Sequence, residues 1–256
     1  MSQSLKSHLG SGPAWPGFRG TSQLVGSTPD GIVTVYVDPN LGPPGLQNAR
    51  DLLADAPRVV AANNAIFGTV GGAVRVIVYA LGGATDGTGG ADHMGCDYQS
   101  GNNIEVCAAF GHSTRVSALF EAELSECSMN RRLCGLSTGE ALSRWCASST
   151  SNNALADFAT APDWAQGGTP DFVNNVDPTD QDAVSTGCGM AFISWLLSKG
   201  YTLAQVARQM VTDGDAGTFA ALYGALTGDA PANAWPNFLS DVNSLPGGVN
   251  SDNPFG

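Results

Sequence analysis

Two β-branched runs with a helix-length stretch between them constrain this chain more than any other feature. Ile32-Val33-Thr34-Val35-Tyr36-Val37, closed by Asp38-Pro39-Asn40, reads as a strand ending in a turn. Val74-Arg75-Val76-Ile77-Val78-Tyr79-Ala80-Leu81 reads as a second, buried strand. Between them Leu46, Ala49, Leu52, Leu53, Ala56, Val60 and Ala61 share one side of a helix reaching Phe67, which Pro57 is expected to kink or split. The first eighty residues are therefore strand, helix, strand. A chain of 256 residues, 43% of them hydrophobic, is long enough to bury one substantial core around them.

Beyond these elements, Gly82 to Gly95 is a glycine-rich stretch carrying Asp86, Asp92 and His93. No Gly-Lys-Ser/Thr follows it, so it is not a phosphate loop and reads as a mobile surface loop. Cys96 to Cys107 is expected to be a hairpin turning at Ser100-Gly101-Asn102-Asn103. From Val116 onward the spacing is almost wholly helical, with helices expected near 114–130, 137–149, 180–199, 202–212, 217–227 and 232–244. The expected organisation is a flexible segment 1–28, one domain 29–245 and a surface tail 246–256. Within the domain, 29–113 is the α/β part and 114–245 the helical part.

Charge narrows the partners. Lys and Arg number 11 against 23 acidic residues, a formal net charge of −12, with no basic run, so nucleic acid and anionic membrane surfaces are poor candidates. No apolar run approaches the roughly 20 residues of a membrane span, and Met1 to Trp15 lacks the apolar core of a secretory signal peptide. Low lysine, acidity and six cysteines favour an oxidising, extracellular setting, with a cytoplasmic protein holding reduced, buried cysteines as the alternative. Sequence proximity suggests the pairs Cys96–Cys107, Cys127–Cys134 and Cys146–Cys188, one of 15 possible pairings.

Chemistry is concentrated in two short segments. A helical projection of residues 115–130 places Val116, Leu119, Phe120, Glu123 and Cys127 on one stripe, Glu126 on its flank and Glu121 opposite. A carboxylate within an apolar stripe must be paired or have its pKa raised, so Glu123 is a candidate general base, or else a structural acid bound to backbone amides. Ser137-Thr138-Gly139-Glu140 has the form of a capping box, and Glu140 and Arg144 have ion-pair spacing. His8, His93 and His112 read as surface residues, although His93 with Asp92 and Asp97 is a cluster that a divalent ion could use. No Gly-x-Ser-x-Gly elbow is present.

Ala122-Glu123-Leu124-Ser125-Glu126, followed by Gly139-Glu140-Ala141-Leu142-Ser143, resembles the gluzincin metallopeptidases, the thermolysin-like clan. Thr179-Asp180-Gln181-Asp182-Ala183, Ala191-Phe192-Ile193-Ser194-Trp195-Leu196, Leu222-Tyr223-Gly224-Ala225-Leu226-Thr227-Gly228 and Ala234-Trp235-Pro236-Asn237-Phe238 look most like the basic secretory protein branch. The resemblance implies an α+β, zincin-like fold, with a small twisted sheet and helices in the N-terminal half and an all-helical C-terminal half. It also implies Glu123 as general base and Glu140 as a metal ligand. Ala122 and Glu126 stand where the family has its two histidine ligands. Arg144, standing where an aspartate is common, could bridge Glu126 and Glu140.

Three functions remain open. One is a peptidase-like hydrolase with a non-standard site of Glu123, Glu126, Glu140 and Arg144, in which Glu126 and Glu140 hold a divalent metal ion. Zinc is not expected there, because the family's imidazoles are missing. The second is an inactive pseudo-peptidase binding a peptide or glycan in the same cleft. The third, ranked last, is a metal-free glycosidase using Glu123 and Glu126. Substrate and oligomeric state are not legible.

Overall fold

The computed structural model describes residues 13–97 and 103–256. The chain is α+β, with a five-stranded mixed sheet and eight α-helices among the described residues. The strands are β1 (Gln23–Ser27), β2 (Val33–Val37), β3 (Val74–Tyr79), β4 (Ala91–His93) and β5 (Asn103–Cys107), in the order β1-β2-β3-β5-β4. The central pairs β2–β3 and β3–β5 are parallel, and the two edge pairs β1–β2 and β4–β5 are antiparallel. Helix α1 (Gly42–Phe67) is the crossover that makes β2 and β3 parallel.

Alternation explains how the sheet is covered. Val33, Val35 and Val37 of β2 and Val74, Val76 and Val78 of β3 are buried in one cluster with Ala49, Leu52, Ala56, Val59 and Val60 of α1. The opposite face carries Tyr36, Ile77 and Tyr79, and it is covered by Trp15 and Phe18. Glu105 of β5 faces the same way, fully buried, and its carboxylate accepts the backbone N–H groups of Gly17 and Phe18 and the Tyr79 hydroxyl. Asn103 completes the anchorage by donating to the Ala14 carbonyl at 2.6 Å. Residues 13–27 are therefore a docked strap and an edge strand rather than part of a flexible start, while residues 1–12 lie outside the described residues.

Helix α1 runs unbroken through Pro57, against the expected kink. An interior proline costs about 3 kcal/mol, and burial of Leu52, Ala56, Val59 and Val60 on both sides of it holds the helix against the sheet. The later helices are α2 (Ser113–Ser128), α3 (Ser137–Thr150), α4 (Ala161–Gln166), α5 (Ala183–Ser198), α6 (Leu203–Asp213), α7 (Phe219–Thr227) and α8 (Ala234–Asn243). α5 is buried on nearly all sides, and Phe192 meets Trp195, Phe219 and Phe238 at centroid distances of 5.3, 5.3 and 5.1 Å. Gly187 lets α4 approach it: a Cβ there would stand 2.1 Å from the Thr160 carbonyl oxygen. The tail is tied down, with Asp252 accepting the Thr160 and Ala161 amides and Asn253 accepting the Ser194 hydroxyl. No helix among the described residues is long and apolar enough to cross a membrane.

The cysteines pair differently from expectation. Cys96 joins Cys134, with Cα atoms 6.0 Å apart, while Cys107, Cys146 and Cys188 are buried thiols and the Cys127 Sγ points at the Gly95 carbonyl. Cys107 ends a central strand and lies inside against the Leu81 and Ala84 carbonyls, while Cys96 is bonded to Cys134. The hairpin expected over Cys96 to Cys107 is replaced by β4 pairing with β5, and most of its proposed turn lies outside the described residues.

Candidate functional site

Helices α2 and α3 pack along each other, and β4 lies beside α2 at the sheet edge. These elements, with residues 81–90 and 180–186, enclose a cavity of about 700 Å³ lined by Glu123, Glu126, Glu140 and Arg144 together. The glycine-rich stretch is one wall. It is pinned rather than loose, with Gly87 donating to the Ala108 carbonyl at 2.9 Å, Cys107 donating to the Gly90 carbonyl at 2.9 Å and Arg115 donating to the Asp86 carbonyl at 3.0 Å. Gly89 folds so closely on Leu81 that a Cβ would lie 2.0 Å from its carbonyl oxygen.

The central residue is His93, which the sequence reads as a surface residue able to share an ion with Asp92 and Asp97 rather than as a partner of Glu123. The period of β4 turns Ala91 and His93 inward and Asp92 outward, so the His93 side chain is only 12% exposed. Its Nδ1 lies 2.7 Å from Glu123 Oε2 and 3.8 Å from Glu126 Oε2. The cluster expected of His93, Asp92 and Asp97 does not form, because Asp97 is bound by Arg131. One signal could have found the histidine. Two carboxylates on one face of α2 have no basic residue at helical spacing on their own helix, so a partner had to come from another element.

The site is electrostatically crowded. Burial pushes the Glu123 carboxyl well above its ordinary pKa, and the charges of Glu140, Asp92 and Asp180 push the same way. Burial and the charges of Glu123 and Glu140 raise Glu126 as well, partly offset by His93 and Ser143. Arg144 pairs with Glu140: its Nε donates to Glu140 Oε1 at 2.7 Å and its Nη1 donates to the Phe158 carbonyl at 2.8 Å. The expected bridge from Arg144 to Glu126 is not made, because Phe158 holds the other arm of the guanidinium. The capping box is also absent. Leu136 is the cap residue, Ser137 is buried, and the Glu140 side chain turns to Arg144 instead of to the helix start.

Comparison of the chain with protein-family models, curated proteins and solved structures gives no match.

Glu121, expected opposite the apolar stripe, is not solvated. It is 0% exposed because α2 is enclosed by α1 and the sheet on one side and α3 on the other. Its Oε1 accepts the Thr150 hydroxyl at 3.5 Å, and its Oε2 has no hydrogen-bond partner. Burial raises its pKa well above the carboxylate range, with Thr150 and Arg58 opposing. A carboxyl raised on folding contributes stability that is fully present below its unfolded pKa and is lost as pH rises through its folded value. Melting curves of wild type and Glu121→Gln from about pH 5 to about pH 9 are expected to diverge in favour of the variant as pH rises. Parallel curves would show that Glu121 carries no such penalty.

Proposed function

We propose that this protein is a peptidase-like hydrolase whose site binds one divalent cation through His93, Glu126 and Glu140, with Glu123 as general base. The observation that carries this reading is the clustering of one His93 ring nitrogen and one oxygen each of Glu123 and Glu126, all within 4.8 Å of one another on the cavity wall. The clustered atoms of His93, Glu123 and Glu126 have a spacing that fits a cation, and Glu140 lines the same cavity. Ligands about 2.1 Å from a tetrahedral ion stand roughly 3.4 Å apart, inside the 2.7 to 4.8 Å spread of these atoms. Arg144, the guanidinium lining the cavity, is engaged by Glu140 and the Phe158 carbonyl, so the repulsion that Glu123 and Glu140 exert on Glu126 is offset by His93 and Ser143.

The resemblance to gluzincins supports the same roles. Glu123 keeps the base position, and His93 provides from β4 the imidazole that Ala122 lacks. This alters the expectation about zinc. An imidazole nitrogen with carboxylate oxygens suits Zn²⁺ as well as Mn²⁺. When bound, the cation supplies Lewis acidity toward a carbonyl and a more acidic water. Glu123 would serve as the base that takes the proton from an attacking water. Arg144, fixed by the Phe158 carbonyl, holds one oxygen of Glu140, a residue that lines the cavity. The pinned glycine wall and Leu155 and Phe158 shape the cleft for an extended chain.

The Arg144–Glu140 pair favours a second reading, a cleft that binds peptide or glycan without reaction, since it neutralises one of the carboxylates without a metal. Calorimetric titration with Mn²⁺ and Zn²⁺ separates the two. One cation per chain is expected, weakened at least tenfold by His93→Ala and by Glu126→Gln. Binding no tighter in the wild type than in both variants would dismiss the metal centre and leave the binding cleft.

A further inference from the structure

The imidazole of His93 stands between two donor sets. Nδ1 faces Glu123 at 2.7 Å, and Nε2 lies 3.5 Å from the Sγ of Cys96, which is bonded to Cys134. His93, Cys96 and Cys134 each place a ligand atom within 4.8 Å of the other two, with Cys134 exposed and the other pair half-buried. We propose that reduction of the Cys96–Cys134 disulfide opens a second metal site, His93–Cys96–Cys134, selective for thiolate-seeking ions such as Zn²⁺.

The segments that carry the two sulfurs are held together by contacts other than their mutual bond. The Arg131 amide donates to the Cys96 carbonyl at 2.9 Å, and the Arg131 guanidinium binds the carboxylate of Asp97. These contacts join the loop after β4 to the α2–α3 connection independently of the disulfide. That connection is built for a specific placement, with Asn130, Arg131 and Leu133 at φ of 54°, 65° and 59°, a left-handed backbone that non-glycine residues adopt only when the surroundings impose it. A dithiol reductant supplies two electrons and two protons. The S–S bond breaks, two thiols form, and the reductant becomes a disulfide. On metal binding both thiols release their protons to solvent and ligate as thiolates, and neutral His93 ligates through Nε2.

The 2.7 Å contact with Glu123 then acquires a role of its own. A ligating histidine ordinarily donates its other ring N–H to a carboxylate, which fixes its tautomer and orientation, and Glu123 is placed to accept from Nδ1. Three protein ligands, of which Cys134 is exposed, leave a fourth coordination place open. Neutral imidazole ligates through one nitrogen, so filling the sulfur site withdraws His93 from Glu126 and Glu140. The sulfur site itself does not rest on the hydrolase reading.

Co²⁺ titration of the full-length protein tests this, because cobalt thiolates have a charge-transfer absorption that carboxylate and imidazole complexes lack. Wild type treated with a phosphine reductant is expected to show the band at one Co²⁺ per chain, and Zn²⁺ to displace it. Oxidised wild type, which needs no mutation and is folded, is expected to show none. Reduced Cys134→Ser should lose the band, reduced His93→Ala should bind more than tenfold more weakly, and reduced Glu123→Gln should weaken binding by about tenfold. A reduced wild type without the band, or a band that survives Cys134→Ser, would overturn the proposal. Failure of Mn²⁺ to bind the oxidised protein would count against the hydrolase centre alone.

Discussion

Glu123→Gln is expected to lower hydrolysis by roughly 10²–10⁴-fold while the unfolding temperature barely moves. Glutamine keeps the shape of the side chain and a group able to meet His93 Nδ1, so the contact at 2.7 Å has a neutral replacement. It also removes a buried carboxyl from a crowded group of acids, which relieves repulsion on Glu126. The amide accepts no proton at neutral pH, and so general-base chemistry stops. Turnover on a peptide panel and thermal unfolding, measured side by side, decide the matter. Activity that survives the change removes Glu123 from the base role, and a protein that unfolds assigns it to structure.

Phe192→Ala is expected to cost about 3–5 kcal/mol, a large share of the roughly 5–15 kcal/mol that holds a typical domain. Phe192 is fully buried at the centre of α5, where it contacts Trp195, Phe219 and Phe238, side chains from α5, α7 and α8. Those rings are held by other anchors. Trp195 donates to Asp241 at 2.7 Å, and Phe238 stacks on Trp164 at 5.5 Å, so the surroundings cannot collapse into the gap. Urea unfolding should show a midpoint well below wild type with an unchanged slope. A loss under about 1 kcal/mol would show that the aromatic cluster repacks freely.

Legibility followed the range of the interactions. The valines of β2 and β3 and the inner stripe of α1 declared themselves because burial periodicity is local. The pattern of α5 did so because a helix buried all round is hydrophobic all round. β1 had no such pattern: Leu24 is 59% exposed, and the segment is a strand only because β2 pairs with it. Pro57 misled because its local cost is overridden by packing on either side. At the site, the Glu140–Arg144 pair was legible from i, i+4 spacing, whereas the contact of His93 with Glu123 spans 30 residues. The Cys96–Cys134 bond spans 38, and sequence proximity had suggested nearer partners for both. Glu121 was misplaced because a wheel drawn for one helix does not show that a second helix closes its outer face.

The cradle at Glu105 sets an order of assembly. Gly17 and Phe18 donate to a carboxylate 88 and 87 residues downstream, so in a chain leaving the ribosome the Trp15 and Phe18 rings have Tyr36, Ile77 and Tyr79 to pack on before β5 exists, but the strap finds its amide acceptor only once β5 has paired with β3. The receptor is the last strand to be made among the described residues, and the strap that plugs into it precedes β1. Closing so long a loop is entropically slow, and the strap therefore seats late, over a sheet already aligned. Until it does, Glu105 has the Tyr79 hydroxyl in place of its two amide donors. The sheet thus tells a finished β5 from an unfinished one by whether its acid can be covered.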